Sequence, residues 1–184
     1  WSSDVCSSDL TEFLPISSTA HLFLTRWFLG WQDSGLTFDV ALHLGTLIAL
    51  LIYFRNDWIA FAKSAIKRDD PLPFYIVAAT VPGGIAGLLL EKYVEETLRD
   101  PRIIAVALAG LALVLLAAEK LGPRLKALSE ISFVDSMVVG FAQCLALVPG
   151  VSRSGITMTA GLFRGMKRDA AARFSFFLST PLIG

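Results

Sequence analysis

The stretch FVDSMVVGFAQCLALVPGVSRSGITMT, Phe133 to Thr159, decides how this chain is read. Its first part, Phe133 to Pro149, is apolar enough for a bilayer, but it runs into a polar cluster, Gly150 to Thr159, that carries Arg153 between Ser152 and Ser154. Ionisable groups inside a membrane are costly unless they are paired or face a cavity, so an arginine there marks a candidate functional site. Backbone irregularity at membrane depth survives only where it is buried in protein or lines a wet cavity. A Pro-Gly break in an apolar run therefore reads as a broken or re-entrant helix, and the helix beyond it is expected to start near Gly155.

The rest of the chain has the composition that such a reading requires. Of 184 residues, 54% are hydrophobic and 17% charged, with a mean hydropathy of +0.63, which is too apolar for an ordinary soluble domain of this length. Formal net charge is zero and the basic residues are scattered among acids, so no continuous basic face is offered to nucleic acid. Cys6 and Cys144 are the only cysteines, and no Cys/His spacing suits zinc. Cys144, inside an apolar stretch, reads as packing.

Trp1 to Leu10, WSSDVCSSDL, is rich in Ser and Asp and fits no signal peptide. It is read as a foreign segment in place of a native N-terminus, a cloning or assembly artefact. Residues 11–184 are read as a single transmembrane domain. Thr11 to Gly30 is moderately apolar but interrupted by Pro15 and the run Ser17, Ser18, Thr19, which predicts a second broken helix. Leu36 to Phe54, Phe74 to Leu90 and Ile103 to Ala118 are runs of spanning length, the last slightly short, so that its ends are expected to draw on flanking residues. Phe174 to Gly184 opens a further apolar run that stops with the chain, as expected of a C-terminally truncated protein.

Arg55 to Leu72 and Glu119 to Ser132 are read as basic loops, which favours both as cytoplasmic. An offset of 136 residues carries Ser18 onto Ser154 and Phe38 onto Phe174. Each serine lies in a Pro-containing polar break, and each phenylalanine opens an apolar helix 20 residues later. The predicted fold is thus all-α: a polytopic membrane helix bundle with two broken or re-entrant hairpins related by an internal repeat, a layout that places a binding site where the halves meet.

Two constellations carry the chemistry. Glu12-Phe-Leu-Pro-Ile-Ser-Ser-Thr-Ala-His21 places a carboxylate, three hydroxyls and an imidazole in an apolar setting. With Ser18 at the start of a helical turn, His21 lies within reach of its hydroxyl, the relation that a nucleophile and its base require. A Ser/Thr helix cap with a histidine satisfied by backbone is the competing reading. In Pro149-Gly-Val-Ser-Arg-Ser-Gly-Ile-Thr157, Arg153 can bind phosphate bidentately, Ser152, Ser154 and Thr157 can add hydroxyls, and the following helix aims free N–H groups at an anion. The alternative is an interfacial arginine snorkelling to headgroups. No phosphate-binding G-x-x-x-x-G-K-[ST] loop occurs and Gly150 to Ser154 lacks the second glycine of a nucleophile elbow, so nucleotide hydrolysis and elbow-type esterase chemistry are not indicated. Gly83-x-x-x-Gly87 and Gly161-x-x-x-Gly165 read as helix packing. Asp39 and His43 read as a supporting pair near the site or as a structural pair.

Together LTEFLPISSTAHL (Leu10 to Leu22), LALVPGVSRSGITMTAGL (Leu145 to Leu162) and ARFSFFLSTP (Ala172 to Pro181) resemble the undecaprenyl-diphosphate phosphatase, or bacitracin-resistance, family. The resemblance covers essentially everything from Leu10 onward. It implies a multi-pass enzyme of the bacterial inner membrane that converts the C55 isoprenyl diphosphate to the monophosphate, recycling the lipid carrier for peptidoglycan synthesis, with the active site toward the external side. Carried over by position, Glu12 holds a divalent metal, magnesium or calcium. Ser18 is the nucleophile and His21 its acid/base partner. Arg153 clamps the diphosphate, and Ser17, Thr19, Ser152, Ser154 and Thr157 line its site. The family has an acidic or amide residue four positions before Glu12, where this chain has Ser8, which puts the metal site in doubt. Homodimerisation is left open. A transporter or flippase for an anionic lipid remains the alternative from the residues alone, because broken helices also build transporter sites.

Overall fold

The structure, a computed structural model, describes residues 44–45, 47–49, 51–67, 69–97 and 100–183. Among them every regular element is helical, apart from one isolated parallel bridge between Lys126 and Met166. The all-α expectation holds. Ser18 and Phe38, the first-half landmarks of the expected repeat, lie outside the described residues.

Helix α1 (Arg55–Lys67) replaces most of the expected Arg55 to Leu72 loop. Its charges suggested a loop, but Trp58 and Phe61 lie three apart on one face and stack edge-on against Phe177, with centroid distances of 5.6 and 4.8 Å. Asp57 accepts from Arg173 at 2.7 Å, which ties the helix down while Lys63 and Lys67 stay exposed.

Among the described residues, helices α2 (Leu72–Thr97) and α3 (Pro101–Leu121) are the two elements long and apolar enough to span a membrane. Each starts where an aspartate accepts a helix N–H: Asp70 from Leu72 at 2.9 Å and Asp100 from Arg102 at 2.8 Å. Both extend beyond the apolar runs, and α3 gains its length from flanking residues as anticipated. A buried core helix of a soluble protein would meet the same criteria of length and composition, but burial decides otherwise. Only 22% of the α2 span and 17% of the α3 span are buried, and Leu88, Leu89, Val106 and Leu113 are exposed. Such surfaces need lipid as solvent.

The decisive stretch folds into a hairpin. Helix α4 (Phe133–Gln143) gives way to a 3-10 turn (Cys144–Leu147), and α5 (Arg153–Phe163) returns against α4. With 11 residues each, the arms reach about 16 Å, shorter than a span. The first arm ends earlier than its apolar run. Pro149 disfavours helix at Val148, whose ψ of 121° is extended. The second arm starts earlier than the expected Gly155, because Ser152 accepts from the Gly155 N–H at 3.2 Å and so caps a helix whose first residue is Arg153.

Asp135 closes the base of the hairpin. Fully buried in the first turn of α4, it accepts from Lys126 at 2.7 Å, from Arg164 at the end of α5 at 2.6 Å, and from the Ser132 hydroxyl and N–H. Burial alone would raise its pKa. The hydrogen bonds from Lys126, Ser132 and Arg164 outweigh that and hold the carboxyl well below its ordinary 3.8. The stabilisation from this ionised carboxylate is complete above the usual carboxylate range and is lost only as pH falls into strong acid.

Helix α6 (Arg168–Ile183) follows a turn at Gly165, whose φ of +83° suits glycine. It begins before the expected Phe174, because Ala170 and Ala171 already pack against the hairpin. A Cβ at Gly161 would stand 3.1 Å from that of Ala171, so Gly161 is a packing residue as expected, whereas Gly165 belongs to the turn. Gly83 likewise packs against α4, while a Cβ at Gly87 would meet nothing within 4 Å among the described residues. Removing one partner of a buried ionic cluster costs about 3–5 kcal/mol. Asp135→Ala should therefore lower the thermal unfolding midpoint in detergent by several degrees, and an unchanged midpoint would show that the base is not held by this carboxylate.

Candidate functional site at the hairpin tip

Because Asp135 and Arg164 meet at one end, the residues that end α4 and begin α5 lie together at the other. The connection between them turns at Gly150, where φ is +95° and an added Cβ would stand 2.5 Å from the Ile104 carbonyl oxygen of α3. Only glycine fits both the backbone and the space. The tip is thereby pressed against the first turn of α3, while Leu162 at the far end of α5 meets Gly122 at the other end of that helix.

Three of the residues singled out from sequence cluster there. Ser152 is buried, and its hydroxyl lies 3.1 Å from that of Ser154 while capping Gly155. The guanidinium of Arg153, a half-buried residue, makes no hydrogen bond or ion pair among the described residues. That sets it apart from Arg164 and Arg173, which are paired with Asp135 and Asp57. A free guanidinium, two hydroxyls and the unsatisfied N–H groups of a first helical turn form an anion site in kind and placement.

Thr157 is placed differently from its companions. It lies one turn further on, only 2% exposed, with its hydroxyl 2.6 Å from that of Ser175 in α6 and 2.8 Å from the Arg153 carbonyl oxygen to which it donates. Its position braces the first turn of α5 against α6. Thr159 turns inward similarly and donates to the Gly155 carbonyl at 2.6 Å. Glu12, Ser17, Ser18, Thr19, His21, Asp39 and His43 lie outside the described residues. Among the described residues no group of three His, Cys, Asp or Glu is placed to hold a metal. Asp135, the acid of the first arm, is committed to the base.

The sequence reading passed over Asp135 and Gln143, which both sit inside an apolar run. Ser132-x-x-Asp135 is a capping-box pattern and could have flagged the first. Nothing local marks the second. Gln143 is 3% exposed, and neither atom of its amide has a hydrogen-bond partner.

Residues 8–184, almost the whole chain, match the family described as Bacitracin resistance protein BacA. The chain belongs to the BacA family. Similar proteins include an undecaprenyl-diphosphatase of Moorella thermoacetica, 51% identical over 176 residues that cover 94% of this chain and 67% of that protein. Another, from Geobacter sulfurreducens, is 51% identical over 183 residues, covering 95% of this chain and 68% of its own length. A third, from Pelotomaculum thermopropionicum, is 50% identical over 178 residues, with coverage of 95% and 67%. Within this BacA-family chain the tip geometry generates a direct expectation. Gly150→Ala introduces a left-handed non-glycine residue, worth about 1–3 kcal/mol of strain, and a collision with α3. Phosphate release from a prenyl diphosphate should then fall by more than the loss of folded protein explains. Equal activity per folded molecule would mean that the tip position is not critical.

Proposed function

We infer that this chain hydrolyses undecaprenyl diphosphate to undecaprenyl phosphate and inorganic phosphate, returning the lipid carrier to cell-wall synthesis and conferring resistance to bacitracin. The observation that carries this reading is Arg153: a guanidinium without an ion pair among the described residues, beside two hydroxyls, at the start of α5. It is joined by half-identical relatives named undecaprenyl-diphosphatase.

A lipid diphosphate has its headgroup at the membrane surface and its chain in hydrocarbon. An anion site at the tip of a re-entrant hairpin meets both needs, because the prenyl chain stays in lipid while the phosphates enter the protein. The base of the hairpin shares its end of the molecule with Lys126 and the basic stretch around it. With that end cytoplasmic, the tip opens toward the external side of the plasma membrane.

In this proposal Arg153 grips the diphosphate bidentately, Ser152 and Ser154 donate to its oxygens, and Thr157 keeps the turn that presents them in place. Ser18, flanked by Ser17 and Thr19, attacks the terminal phosphorus, and His21 accepts the serine proton. The bond to the bridging oxygen breaks and undecaprenyl phosphate leaves. Water then releases phosphate from the serine, with His21 reversing its role. A divalent ion, magnesium or calcium, would neutralise phosphate oxygens, and Glu12 is the residue proposed to hold it.

Arg153→Ala should lower kcat/KM for farnesyl or undecaprenyl diphosphate in detergent by about 100-fold or more, with Arg153→Lys recovering part of it, since an ammonium keeps charge but not the bidentate fork. Ser18→Ala and His21→Ala should act chiefly on kcat. Absence of phosphate release by the unaltered protein, together with lipid movement that depends on Arg153, would replace hydrolysis by transport.

A further inference from the structure

We propose that Gln143 is a substrate-binding residue of the same site, its amide N–H donating to a phosphate oxygen of the diphosphate from the α4 side of the hairpin tip. This rests on the phosphatase reading above.

Gln143 is the last residue of α4 and is 3% exposed, yet its amide nitrogen and oxygen both lack a hydrogen-bond partner. A buried amide left unpaired is a standing cost in any protein, and one at membrane depth has no bulk water to relieve it. Two other side chains among the described residues leave a buried polar atom unmet, but neither is comparable. Trp58 lines an apolar cavity among α1, α2 and α6, and the guanidinium of Arg124 reaches Glu119 through a different nitrogen. Gln143 alone leaves both a donor and an acceptor idle.

Its surroundings are built to admit it. The facing residue of α2 is Gly83, and a Cβ there would stand 2.5 Å from the amide nitrogen of Gln143. The glycine keeps that space open just after Pro82, within the span. Position along the hairpin gives the amide its task. Asp135 and Arg164 mark the base, so Gln143, which closes the first arm, and Arg153, which opens the second, both flank the turn at the other end of the hairpin. A diphosphate has more acceptor oxygens than one guanidinium and two hydroxyls satisfy, and an amide N–H meets one of them without adding charge.

The experiment pairs kinetics with thermal unfolding of the detergent-solubilised protein. Gln143→Leu and Gln143→Met keep the volume and remove the polar atoms. Both should unfold at the parent temperature or above it, because an orphaned group has been removed. KM for undecaprenyl diphosphate should nevertheless rise by roughly 10-fold or more, the worth of one hydrogen bond to a charged group. Gln143→Glu should lose more, since it sets a like charge against the phosphates. Parent kinetics in both apolar variants would overturn the proposal. So would a KM unchanged while activity falls in step with the unfolding temperature, which is the mark of a structural amide. Failure of the parent protein itself to release phosphate would sink the phosphatase reading instead, and is distinguished by needing no variant at all.

Discussion

One buried carboxylate gives this fold its functional shape. Asp135 receives Lys126, Arg164 and the Ser132 cap at once, and so joins both ends of the hairpin to the loop that precedes it. Each partner suits its place. An acid in the first turn of α4 and a cation at the end of α5 both complement the helix dipoles, and pairing removes the cost of burying the charge. With the base fixed, the two short arms run side by side and carry the polar turn between them to the far end, against the first turn of α3.

The bilayer explains why the free end is where chemistry can occur. Helix ends leave N–H groups unsatisfied, and in hydrocarbon those groups must find a partner. At the tip Ser152 satisfies one of them, and the remainder, with Arg153, suit an anion. Contact with α3 at Gly150 and with α6 through Thr157 and Ser175 holds the tip in place from two sides. The spanning helices therefore act as walls as well as anchors, and their outward faces remain apolar.

Much of this was legible in the residues. The start of the second arm was expected near Gly155 and lies two residues earlier, at Arg153, whereas the first arm ends at Gln143, well before the apolar run expected to reach Pro149. The run Arg55 to Lys67 was misread because its charges suggest a loop, whereas Trp58 and Phe61 give it one buried face that only Phe177, far along the chain, reveals. Thr157 looked like one more hydroxyl for a ligand until α6 supplied Ser175 opposite it.

The sequence by itself determined the solvent of the chain, the location of its polar breaks and the chemical kind of its anion site, because transfer energies and local caps depend on residues close together. Tertiary structure decided which charges are spent and which are free. Arg164 and Arg153 look alike in the sequence, and they differ because only one of them is within reach of Asp135. Pairing depends on distances between segments remote in the chain, and no local pattern encodes those distances.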